Sequence, residues 1–591
     1  MTKPTLPLMK RTFAKSLVVK AVALCVISSV PMVAFPQGLG AQRYENPILH
    51  EDYSDPDVCK VGEDYYMTSS SFNHFPGLQI LHSRDLVHWT LIGAALSDYP
   101  GPLWDGPAED WRMKVHHGEG VWAPSIRYHD GWFYIFCGDP DRGVFMVRTQ
   151  DPAGRWSDPV WVMKGKGIID TCPLWDDDGR VYLSHGCAGS RAGVKSVIFV
   201  AELSSDATSV LTPSRIVYDG HLTDPTIEGT KFHVRDGKYY IFCPAGGVAT
   251  GWQTVLRSES PWGPYEARKL LRWKEGTVNG PHQGAWVEGE VSGEDYFIHF
   301  QDKDAYGRIV HMQPLRWDED GWPVFGDGGY PVKGAPMPSW AGGAGKSTFK
   351  YDPAGVPCDE GAYLPYGLPL QWQYPAVPSP YWHFHDGKTL RLYSVQQSPS
   401  WRNLSDSPNL LLRKFSGESF TVTAKMTLYP NPSLSPKGEE GGFVVMGEDY
   451  KSLVIVDSPD GGVQLQLIGC SRSFDGTGEE RQLICKLDSG QKVPVDDRGF
   501  SGNVPRVVYK DYSATSVWVR LTVSPSPREG NVPDAICQLH YSLDGRKFRQ
   551  AGDPFRAVPG KWVGAKWGFY CLRRSPKNDS GWLEVTQLEI K

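Results

Sequence analysis

Along most of this chain apolar and polar residues alternate, and the apolar positions favour aromatic and β-branched side chains, the pattern of half-buried strands rather than helices. One phrase recurs: GEDYYMTSS from 62, DGWFYIFCG from 130, DGRVYLSHG from 178, DGKYYIFCP from 236 and GEDYFIHFQ from 293. Each copy joins a tight turn to a run of strand formers, and Asp-Gly is the strongest short hairpin signal because both residues tolerate positive φ. The marker aromatics Tyr66, Tyr134, Tyr182, Tyr240 and Phe297 are 68, 48, 58 and 57 residues apart, the size of a four-stranded sheet with its loops. Five such units between about residues 44 and 330 predict a five-bladed β-propeller.

If each phrase is the turn between the two innermost strands of a blade, the residues 11 to 15 positions upstream open the innermost strand beside the central axis. Those positions hold Asp55 in YSDPDVCK, Trp122 and Ala123 in GVWAPSIRY, Asp170 in GIIDTCPLW, Glu228 in PTIEGTKFH and His282 in GPHQGAWVE. Three blades thus place a carboxylate at one structural address. Asp55 belongs at the mouth of a strand rather than in its interior, where carboxylates are disfavoured, with Pro56 fixing the backbone behind it. Carboxylates gathered at one mouth repel each other, so one keeps its proton near neutral pH while another stays ionised. Glycoside cleavage requires that division. Calcium binding is the competing reading, but no DxDxDG-type loop accompanies the acids.

These segments, in this order from about residue 44 to 330, resemble glycoside hydrolase family 43. The resemblance implies a five-bladed propeller, an inverting mechanism and an exo-acting pocket that releases pentoses, a β-D-xylosidase, an α-L-arabinofuranosidase or both. It places the family's general base on Asp55, its pKa-modulating aspartate on Asp170 and its general acid on Glu228. Where many members read Asp-Pro-Ser or Asp-Pro-Cys, this chain has Asp170-Thr171-Cys172-Pro173. Arg308 is similar to the arginine that contacts pentose hydroxyls, Phe75 and Trp122 to the aromatic walls of the pocket, and His282 to the histidine at its base. No cofactor is required on this reading, and a structural calcium near His282 is left open. An endo-acting arabinanase and a non-catalytic sugar-binding propeller are the alternatives.

Beyond residue 366 the repeat stops, and SFTVTAKMTLYP, GGFVVMGEDY, KSLVIVDS, GVQLQLIG and SVWVRLTVS alternate as the strands of a sandwich. LQWQYPA and GKWVGAKWGFYCLR resemble the concanavalin-like C-terminal domain found with family 43 xylosidases, whose expected role is to wall the pocket; a tethered carbohydrate-binding module is the alternative. The fold class is therefore all-β, with a propeller over 43–335, a Gly/Pro-rich linker over 336–366 and a sandwich over 367–591. AGGAGKST within the linker is no phosphate loop, because Trp340 stands where the first glycine is needed.

The formal net charge of -6 and the lack of a basic block exclude an electrostatic footprint for nucleic acid or an anionic membrane. The expected partner is an oligosaccharide or polysaccharide. Lys10, Arg11 and Lys15 precede an apolar run from Ala21 to Phe35, and Gly40 and Ala41 follow, which reads as a secretory leader over 1–42 and an exported protein. Of 11 cysteines, those from Cys59 to Cys571 form no CxxC, so most are expected to be buried small hydrophobes. Cys470 and Cys485 flank a hairpin-like loop and are the one pair with the placement of a bridge.

Overall fold

In the computed structural model, the described residues are 42–96, 108–274, 278–341, 354–359, 367–460, 462–488, 491–492, 513–528 and 532–591. The candidate leader, except Gln42, and nearly all of AGGAGKST lie outside them. Residues 42–591 form one compact unit.

Five four-stranded antiparallel sheets follow one another in the chain, each built from four consecutive strands. Their first strands are Asp57–Val61, Trp122–His129, Ile168–Trp175, Lys231–Arg235 and His282–Val287. In every blade the repeated phrase is the turn between first and second strands. Two copies show why: Asp130 and Gly131 have φ of 47° and 80°, Asp236 and Gly237 52° and 72°, as a two-residue turn matched to strand twist requires. The ring is closed by a strap, Arg43–Glu45 paired with Gly334–Pro336, and by a bridge between Leu49 and Val310 of the fifth blade. This is the predicted five-bladed propeller.

Where the inner strands converge, polar side chains fill the axis. Asp57 is wholly buried; its Oδ2 accepts from the Arg127 guanidinium at 2.6 Å and from the Ile126 amide at 2.8 Å. Lys231 lies 3.8 Å from the same oxygen and donates to the Pro124 carbonyl at 2.7 Å. Blades one, two and four are therefore tied at the centre by one charge cluster.

The C-terminal part is two stacked sheets, one of nine and one of seven strands. The long strands Phe420–Tyr429, Ser513–Ser526 and Trp582–Ile590 alternate buried and exposed positions, as a sheet with one dry face must. The segment read as a linker is in part packed: residues 354–359 run beside the first blade, with Leu91 bridged to Cys358 and the Val356 amide donating to Glu51. Phe75 and Tyr374 exchange backbone hydrogen bonds at 2.8 and 2.7 Å. Apolar residues of propeller and sandwich share one continuous core, Tyr53, Leu91 and Tyr306 from the first with Trp372, Phe415 and Trp567 from the second. A freely tethered module is therefore not what the chain builds. Cys470 and Cys485 are both free thiols. The register pairs Cys485 with Leu465 and Cys470 with Tyr450, so the two lie on separate rungs.

Burying a large apolar side chain contributes about 1.5–3 kcal/mol, and the sandwich supplies several to this shared core. Deleting residues from 367 onward is therefore expected to give aggregated protein by size-exclusion chromatography. A monomeric truncated propeller with a cooperative melting transition would contradict the shared core.

Candidate active site

Three of the inner strands have a register shift at their mouth end, between Trp122 and Ser125, Ile169 and Cys172, and His282 and Gly284. A bulge re-aims a side chain that the pleat would otherwise bury in the blade. At the same level Asp55, Ala123 and Asp170 have φ of 53°, 37° and 58°. Left-handed backbone at non-glycine residues costs on the order of 1–3 kcal/mol each and persists where the surroundings enforce it. The sequence departure Thr171-Cys172-Pro173 falls at one of these bulges, and Asp170 remains at the mouth with its carboxylate buried.

Asp55 is gripped by hydroxyls: Ser54 and Ser70 donate to its Oδ2 at 2.7 and 2.6 Å, and Ser70 in turn accepts from the Ala123 amide at 2.7 Å. Arg308, first residue of its strand, donates to Ser54 Oγ at 2.8 Å and lies 3.6 Å from Asp55 Oδ2. Two hydroxyl donors and a guanidinium thus converge on one carboxylate oxygen.

Asp170 and Glu228 are neighbours. The amide of Gly229 donates to Asp170 Oδ2 at 2.7 Å, and Thr230 Oγ1 donates to the Asp170 carbonyl at 2.7 Å, so Asp170 fixes the backbone that carries Glu228. Gly186 borders both residues: a Cβ there would stand 3.6 Å from Asp170 Oδ2 and 3.5 Å from Glu228 Cα. Desolvation in the pocket raises the pKa of each; Asp55 adds to the rise at Asp170, and both aspartates add to it at Glu228, which is pushed up to about 8. Because the Glu228 side chain keeps 35% exposure at the mouth, its upward direction rests most firmly on the two neighbouring carboxylates.

His282 lies at the base, Nε2 3.8 Å from Glu228 Oε1, and neither ring nitrogen has a hydrogen-bond partner among the described residues. Burial and the nearby Arg308 lower its pKa to about 3, so the ring is neutral. Calcium takes six to eight oxygen ligands. Here the nearest donors are imidazole nitrogens and one carboxylate, and among the described residues no cluster of three or more His, Cys, Asp or Glu has metal-binding geometry.

Trp122 stands at the mouth, its Nε1 held by the Gly118 carbonyl at 2.9 Å. Phe75 does not join it. With 0% exposure Phe75 packs among Leu78, Ile80, Val121 and Val377, and Phe72 is the ring set edge-on to Trp122, at 6.1 Å. Opposite stands a residue the sequence reading did not single out, Trp562 of the sandwich. It is 44% exposed, edge-on to Trp122 at 6.1 Å, with the Arg308 guanidinium 5.8 Å from its ring centroid. Its neighbour Lys561 packs against Gly118. The only signal for it in the sequence is an exposed-type Lys-Trp pair within GKWVGAKWGFYCLR, indistinguishable there from a core tryptophan.

Comparisons with known proteins extend over both parts. Residues 44–323 match the family model described as Glycosyl hydrolases family 43, and residues 365–591 the one described as Beta xylosidase C-terminal Concanavalin A-like domain. A Xylanibacter ruminicola protein named as a candidate β-xylosidase is 32% identical, over 90% of this chain and 86% of its own length. A non-reducing end α-L-arabinofuranosidase of Bacteroides ovatus is 29% identical over 73% of this chain and 78% of its own. The solved structure of a xylan β-1,4-xylosidase from Bacillus halodurans shares the fold with a TM-score of 0.70 at 23% identity, covering 93% of this chain and 100% of that one. With a propeller and a sandwich that both match, and a relative of that identity along nearly its whole length, the chain belongs to glycosyl hydrolases family 43.

Proposed function

We propose that the protein is an inverting, exo-acting glycosidase that removes a terminal pentose, β-D-xylose, α-L-arabinofuranose or both, from plant cell wall polysaccharides or their oligosaccharides. The observation that carries this reading is the division among the three carboxyls: Glu228 is pushed toward protonation, while Asp55 is held by two hydroxyls and an arginine. In this reading Glu228 protonates the leaving oxygen, Asp55 takes a proton from the attacking water, and Asp170 keeps the Glu228 backbone in place and its proton on. An inverting site holds acid and base about 6.5–9.5 Å apart to admit that water, and residues from the first and fourth blades face one another across an axis. Arg308 binds sugar hydroxyls, neutral His282 offers a hydrogen bond at the base, and Trp122 with Trp562 flanks the sugar faces.

Closure of the mouth by Lys561 and Trp562 favours exo over endo action, since a threading chain needs an open groove. The named relatives include both a xylosidase and an arabinofuranosidase, and two aryl pentosides assayed side by side distinguish the activities. The leader-like N-terminus makes the periplasm or the outside the expected address, checked by fractionating expressing cells.

Asp55→Asn and Glu228→Gln are each expected to lower turnover of an unactivated oligosaccharide by ~10²- to 10⁴-fold, the worth of general acid-base catalysis, with melting preserved. An aryl leaving group that needs little protonation partly rescues Glu228→Gln and not Asp55→Asn. Retention of more than about a tenth of the rate by either variant removes it from the assigned role.

The pH profile follows from the raised Glu228 pKa. The acid works while protonated, so kcat/KM should hold through neutrality and fall as pH rises through about 8. Activity that already falls as pH rises through about 4.5, the ordinary glutamate value, would show that Glu228 is not the acid.

Stereochemistry tests the water step. Proton NMR of the first product, before mutarotation, is expected to show α-xylose from a β-xyloside. β-Xylose first would mean that a carboxylate attacks the sugar.

A further inference from the structure

Three residues before Asp55, Asp52 is buried, with 6% exposure, and its two carboxylate oxygens serve two different domains. Oδ1 accepts from the backbone amide of Arg308 at 2.9 Å; Oδ2 accepts from the backbone amide of Gly564, in the sandwich, at 2.8 Å. Two glycines make this approach possible. At Gly307, with φ of 81°, a Cβ would lie 2.5 Å from Asp52 Cβ and 2.6 Å from its Cγ; at Gly564 one would lie 2.7 Å from both Gly307 Cα and N. The Ala565 amide donates to the Ala305 carbonyl at 2.8 Å, a second tie at the same place. Gly564 is two residues from Trp562, and Arg308 carries the guanidinium that faces that ring.

We propose that Asp52 is a positioning residue for substrate binding: a single carboxylate clamps the strand start that presents Arg308 and the sandwich loop that presents Trp562, and so sets the width of the pentose pocket. This inference rests on the reading that the Arg308 and Trp562 side chains contact the sugar. The chemistry demands a carboxylate. Both partners are N–H donors, and only an ionised carboxyl offers an acceptor to each. An asparagine satisfies one amide and turns its own NH2 toward the other, leaving a buried donor unpaired. Burial lowers the pKa of the sandwich residues Lys414 and Lys566, and the nearby Asp52 and Glu51 carboxylates work against that fall.

The full-length protein carries the test. Asp52→Asn is expected to raise KM for an aryl pentoside by roughly tenfold, the scale of one buried hydrogen bond lost, with a smaller fall in kcat. Gly564→Ala, whose Cβ would clash with the Gly307 backbone and so part the same loop from the strand start, should reproduce that rise. In a double-mutant cycle, Asp52→Asn with Trp562→Ala should lose little more than the worse single variant, since the width that Asp52 sets is the gap between Arg308 and that ring. Multiplying losses overturn the proposal, as does an Asp52→Asn variant with lowered melting temperature and unchanged KM. A second readout is independent of catalysis. Hydrogen exchange over 560–566 should be slow in the wild type and fast in Asp52→Asn, and equal protection in the two overturns the clamp. If the wild type releases no pentose at all, the functional reading fails, and this exchange experiment still decides whether the clamp exists.

Discussion

The site depends on a buried charge cluster beneath it. Asp57 and Lys231 are buried at the axis, with Arg127 beside them, and a charge so buried is tolerated only when paired and hydrogen-bonded. That cluster holds three blades at a fixed spacing and so fixes where their mouth residues stand. It also sets the electrostatic sign of the pocket floor. Asp55, Asp57, Asp170, Glu228 and Asp302, the last 3.8 Å from the Arg308 guanidinium, are five acids, and the cations that face them are Arg127, Lys231, Arg308 and Lys195. Carboxylates outnumber cations in a poorly solvated space, and the excess is relieved by retaining a proton. The raised pKa of Glu228 is thus a joint product of burial and of the charge imbalance around it.

The adjacent aspartates of DYSDPDVCK divide these duties. Asp55, in left-handed backbone, faces the mouth; Asp57, two residues on, faces the axis. Pro56 between them cannot donate a hydrogen bond and holds the turn that sends them apart.

The propeller was legible because its signal is local and repeated: a hairpin turn and a strand, five times, at blade spacing. The three carboxylates were legible because the repeat gives them one address. What the sequence hid depends on contacts across hundreds of residues. Phe75 reads as a pocket wall until Tyr374, from a segment read as the start of another domain, pairs with it and closes the core over it. Trp562 is silent because nothing local separates a tryptophan that lines a mouth from one that fills a core. The bulges that aim Asp170 and His282 depend on strand register, and so does the separation of Cys470 from Cys485. The Gly/Pro-rich stretch reads as a spacer by composition, although residues 354–359 lie against the first blade.

The loop bearing Lys561 and Trp562 has an evolutionary consequence. The carboxylates of the propeller mouth and the tryptophan that borders it are encoded up to more than three hundred positions apart, on sheets of separate domains. Substitutions in that loop can accumulate without replacing the strained, charge-balanced residues of the propeller mouth, but only within the space that Gly118, Gly307 and Asp52 leave it.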